Sequence, residues 1–84
     1  MAHSVKVFCG PDELVKTRNI AYFQHIHKIN TDTCALYFAE KNYYMLAKKI
    51  NRRDDMADGR LYLSLNDMSL LAGLSGNKIK FDED

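Results

Sequence analysis

Between Glu40 and Arg53 the chain reads as a two-sided helix. Ala39, Tyr43, Leu46, Ala47 and Ile50 recur at three- and four-residue intervals, while Lys41, Lys48, Lys49 and Arg52 fall between them. At about 100° per residue, the first set gathers on one flank and the second on the other. The last turn is rich in Lys and Arg, which suits the negative end of the helix dipole, and Asp54 to Gly59 supplies a polar exit with a stop glycine. An amphipathic helix must lay its apolar stripe on another layer, and in a chain of 84 residues that layer is a small sheet.

The rest of the sequence supplies the strands. His3 to Cys9 alternates apolar and polar residues and predicts a first strand. Gly10 breaks it, and Pro11, Asp12 and Glu13 fit the first turn of a short helix reaching about Arg18. Ile20 to Ile29 and Cys34 to Ala39 are rich in aromatic and β-branched residues, with the turn formers Asn30 to Thr33 between them. They read as a hairpin. A helical alternative stays open, because Tyr22, Ile26 and Ile29 share a helix face and Leu36, Ala39 and Tyr43 keep helical spacing. Arg60 to Leu65 alternates as a strand. Asn66 and Asp67 cap a short helix from Met68 to Gly73, and Lys78 to Phe81 is a last strand or a last helical turn before a solvated acidic end, Asp82 to Asp84. The predicted architecture is α+β, one domain over residues 1–84. It has an antiparallel sheet of four or five short strands, the helix at about 40–53 packed on one face, and one or two short helices besides. No internal repeat is visible.

Composition narrows the function classes. One Pro and four Gly, with 46% hydrophobic and 27% charged residues, describe a folded chain and not a low-complexity segment. The two cysteines, Cys9 and Cys34, are too few for a secreted disulfide scaffold, so free thiols in a reducing cytoplasm are expected. No signal segment opens the chain and no apolar run approaches the roughly 18 residues that span a membrane, so no membrane association is expected. Net charge is +1, but residues 41–60 hold six cations against three carboxylates.

Candidate chemistry is thin. His25 and His27 would share a face in a strand, yet with His3, Cys9 and Cys34 they lack the spacing of a zinc site, and no metal or other cofactor is expected. Neither cysteine has a nucleophile signature around it, and the glycines form no phosphate loop, so the chain is read as a non-enzyme. The basic back of the predicted helix, Lys41, Lys48, Lys49, Arg52 and Arg53 with Tyr44 beside it, could follow a phosphate backbone and stack an unpaired base, which suits RNA. Leu65 to Ile79 resembles the helix–turn–helix of small repressors: a capped helix containing Ala72-Gly73, a tight turn, and a second helix capped by Ser75. That resemblance implies that Ser75, Asn77, Lys78 and Lys80 face DNA; it covers 15 of 84 residues, and the acidic end departs from the pattern. The leading expectation is a small regulatory or inhibitor-type binding protein that sterically occupies a protein partner. It would act as a homodimer, self-associating through Tyr22, Phe23, Tyr37 and Phe38. Binding of RNA through the basic segment is the alternative.

Overall fold

The computed structural model describes residues 2–11, 18–27, 29–38, 41–75 and 78–83. Six strands, β1 (Ala2–Cys9), β2 (Ile20–Phe23), β3 (Thr33–Phe38), β4 (Tyr43–Lys49), β5 (Arg60–Leu63) and β6 (Lys78–Glu83), close into a barrel in the order β1-β5-β2-β4-β3-β6. Among the described residues there is one helix, α1 (Leu65–Ser75), between β5 and β6. The class is broadly α+β, with more sheet, fewer helices and a more mixed strand pairing than expected. No helix among the described residues is long and apolar enough to cross a membrane.

The largest correction concerns residues 40–53. In place of a helix, Tyr43–Lys49 is a strand, antiparallel to β3 (Leu36↔Met45) and parallel to β2 (Ala21↔Ala47). Met45 and Ala47 are buried and Leu46 is exposed, the reverse of what the helical stripe requires of Met45 and Leu46. The sheet offers this segment a hydrogen-bonding neighbour on each side, and tandem tyrosines suit a pleated surface. Those non-local terms outweigh its helical periodicity.

Residues 20–39 do hold two strands, but they are not partners: β4 lies between β2 and β3. The chain leaves β2 through a tight turn in which Ile29 N–H donates to the Ile26 carbonyl at 3.0 Å. The helix expected from Met68 forms, but its cap is Ser64. Ser64 Oγ accepts from Asp67 N–H at 3.3 Å, and the Ser64 carbonyl accepts from Met68 N–H at 2.9 Å. After α1 comes β6, so the second helix implied by the repressor resemblance is absent. Asp82 and Glu83 pair in the ladder with Ala2 and Leu36 and do not form a free tail. The short helix expected after Gly10 falls largely outside the described residues.

The two halves of the chain, β1 to β3 and β4 to β6, are threaded alike, each strand matching the one three places on. β1 runs parallel to β5 and antiparallel to β6; β4 runs parallel to β2 and antiparallel to β3. The rung Lys6↔Arg60 has its counterpart in Leu46↔Ile20, and Tyr22 pairs with Tyr62 at the seam. Gly10 N–H donates to the Leu63 carbonyl at 3.1 Å, and Ile50 N–H to the Phe23 carbonyl at 2.9 Å, equivalent bonds with the halves exchanged. The residue entering β2 and the residue entering β5 are both left-handed: Asn19 at φ 67° and Gly59 at φ 77°.

Inward positions of all the described strand side chains fill the barrel: Val7, Phe23, Leu36, Ala47, Leu61 and their neighbours, with Leu71 of α1 joining them. Closure of the barrel leaves no strand edge open for pairing between copies.

A Cβ at Gly59 meets nothing within 4 Å, so Gly59→Ala tests the backbone alone. It should cost about 1–2 kcal/mol in urea unfolding. Gly59→Asn should cost less, because an asparagine holds the same conformation at the equivalent entry. An Ala variant as stable as the parent would refute the left-handed requirement.

Candidate functional site

On the outer wall of β4, Tyr44, Leu46 and Lys48 alternate with the buried Met45 and Ala47. Tyr44 stands opposite Tyr37 of β3, Leu46 between Ala35 and Ile20, and Lys48 between Thr33 and Tyr22. The Tyr37 and Tyr44 rings are 4.7 Å apart between centroids and tilted by 34°. Tyr44 is 60% exposed and Leu46 38%. The surrounding bonds fix this wall: Tyr37 Oη donates to Asn42 Oδ1 at 3.0 Å, Asn19 Nδ2 to the Tyr44 carbonyl at 3.3 Å, and Leu46 N–H to the Asn19 carbonyl at 3.0 Å.

Beneath it lies Asp67 of α1, 1% exposed. Its Oδ2 accepts from Asn19 N–H at 2.8 Å and its Oδ1 from the Tyr43 hydroxyl at 2.9 Å. One carboxylate therefore ties the entries of β2 and β4. Burial pushes the Tyr43 phenol above its ordinary pKa, the Asp67 hydrogen bond and charge add to the shift, and Arg18 opposes it.

Arg52 and Arg53 sit elsewhere, on the loop from Ile50 to Gly59. Arg52 pairs with Asp58 at 3.5 Å, and Arg53 forms a two-pronged pair with Asp55 at 2.8 Å. The hydrogen bond from Arg53 holds the Asp55 carboxyl below the usual range. Gln24 clamps this loop, accepting from Arg53 N–H at 2.9 Å and donating to the Met56 carbonyl at 2.8 Å and to Asp58 Oδ1 at 3.2 Å. The clamp presses Met56 onto Tyr62, with Phe8, Tyr22 and Ile50 around them.

The sequence-derived residues thus separate. Tyr44 and Lys48 share the wall, Lys41 and Lys49 are exposed at its two ends, and Arg52 and Arg53 belong to the ion-paired loop. The proposed self-association set does not form one surface. Phe23 and Phe38 point into the core, Tyr37 joins Tyr44, and Tyr22 is half-covered by the loop. Leu46, Ile20, Asn19 and Asp67 are not among the expected site residues: the sequence reading assigns Leu46 to the apolar stripe of a helix and Asp67 to a helix cap. His25 and His27 are exposed on either side of Ile26 in the turn after β2, and no metal-sized group of His, Cys, Asp or Glu occurs among the described residues.

Exposure and burial separate the roles of neighbouring tyrosines. Tyr44→Ala should change stability by under about 0.5 kcal/mol, whereas Asp67→Ala, which strands a hydroxyl and an amide, should cost at least ~2 kcal/mol. Because the folded-state pKa of Tyr43 is raised above the unfolded value of 10.0, its contribution is complete below that pH and is lost as pH rises through the folded value. Urea unfolding at increasing alkaline pH should show the decline, and Tyr43→Phe should remove that component. A parent and variant with identical pH slopes would exclude it.

No protein-family model, curated protein or solved structure matches the chain, so the wall's own chemistry is what its function can be read from.

Proposed function

We propose that this chain is a non-enzymatic regulatory binding module that sterically occupies a macromolecular partner through the outer wall of β2, β4 and β3. The observation that carries the reading is the open tyrosine pair, Tyr44 at 60% exposure with Tyr37 against it and Leu46 in the next outward position. Exposed apolar side chains clustered inside a polar rim are the usual anatomy of an interface. Tyrosine suits the centre of one, because it offers a large amphipathic surface with few rotatable bonds to freeze. The sheet beneath is closed and pinned, so little backbone ordering opposes docking.

The test uses the wall against a site outside it. Tyr44→Glu and Leu46→Glu should abolish recovery of partners that the parent chain retains from native cells, while His27→Glu retains them. An affinity loss of about 2 kcal/mol or more, roughly thirtyfold, is expected for a central aromatic. Light scattering on the same variants reads self-association through this wall. If both Glu variants keep the parent's partners, docking lies elsewhere.

A further inference from the structure

We infer that the occupant of this wall is a single strand of nucleic acid, with bases stacked at Tyr44 and phosphates held by the cations at the two ends of β4. The inference rests on the wall being the docking site. It adds the chemistry of the partner, and the cation pattern carries it.

Lys48 lies in the same outward row as Tyr44 and Leu46, and Lys49 is exposed at the strand's end. At the other end Lys41 is exposed. Lys41 precedes Asn42, which accepts from the Tyr37 hydroxyl. Arg18 lies apart, in a groove with Asn66, Ser69 and Leu70 of α1. Among the described residues, none of Lys41, Lys48 and Lys49 is ion-paired, whereas Arg52 and Arg53 on the loop both are. The fold has neutralised the loop and left the rim of the tyrosine wall cationic. Among the described side chains, the carboxylate of Asp32 adjoins it, exposed at the Lys48 end.

Tyr44 and Lys48 are about 13 Å apart at ~3.3 Å per strand residue, the reach of a few nucleotides. The exposed part of the Tyr44 ring, which leans on Tyr37, offers an unpaired base a surface to stack on, and a duplex presents no such base. A second copy fits less well. A two-fold contact through this wall gathers the same cations from both chains around one apolar centre, and the closed barrel has no edge to pair.

The probes are fluorescently labelled twelve-residue oligo(U) and oligo(dT), titrated with the full chain and read by anisotropy. Binding is expected at 50 mM salt, falling roughly twentyfold by 200 mM if three phosphates are neutralised. Tyr44→Ala should weaken it about tenfold or more. Lys48→Ala should flatten the salt slope by about 0.7, and Arg52→Ala should leave affinity within about twofold. Comparing the two oligomers separates RNA from DNA, and a duplex of the same length should not compete. Failure of both oligomers to bind at 50 mM salt, or binding that Tyr44→Ala leaves intact, overturns the inference. If the oligomers fail while Tyr44→Glu still releases a cellular protein or dissociates a dimer, the wall remains the docking site and its occupant is a protein. If Tyr44 variants change nothing in any assay, both readings fall.

Discussion

Asp67 is a charged side chain almost sealed from solvent, and its carboxylate is satisfied by two groups far away in sequence, the Asn19 amide and the Tyr43 hydroxyl. Burying a carboxylate is tolerable only when it is hydrogen-bonded, so α1, β2 and β4 have to meet there. Asn19 in turn donates its side chain to the Tyr44 carbonyl and accepts from Leu46 N–H. The rigidity of the outer wall therefore descends from an interior group on the only helix among the described residues. The closed barrel supplies the surface, and this contact fixes where the parallel strands β2 and β4 begin.

Gln24 plays the complementary part at the far side of the seam. Its amide both donates to and accepts from the loop that crosses Tyr62. That coverage explains how an outward-facing strand residue such as Tyr62 comes to be buried, and it leaves the β4 wall as the place where tyrosine stays open to solvent.

Much of the strand content was legible. His3 to Cys9, Arg60 to Leu63 and the two apolar runs around Asn30 alternate as strands do, and α1 lies where a capped apolar stretch placed it. Strand β4 was not legible. Residues four apart share a face in a helix and in a strand, so Tyr44 and Lys48 stay together under either reading. The discriminating positions are the odd-numbered steps. A helix unites Tyr43 with Leu46, and a strand sends them to opposite sides. Which arrangement prevails depends on β2 and β3 flanking the segment, information spread over the chain. The strand order and the Asp67 contact were hidden for the same reason, since both join residues distant in sequence. The likeness of the two halves resides in hydrogen bonds and dihedral angles, with little shared side-chain identity beyond Tyr22 and Tyr62.

The interleaving of the halves bears on how the chain reaches this state. Both ladder neighbours of β1, namely β5 and β6, come from the second half, and β2 likewise finds its partners only in β4 and β5. Neither half holds a sheet of its own to nucleate. Entropy must be surrendered over long loops before any parallel rung forms, a high-contact-order route associated with folding in milliseconds to seconds. During synthesis β1 must wait for β5 and β6 to be made, exposing Val5, Val7 and Phe8 in the interval. A chain of this design is most vulnerable to aggregation before those two strands emerge.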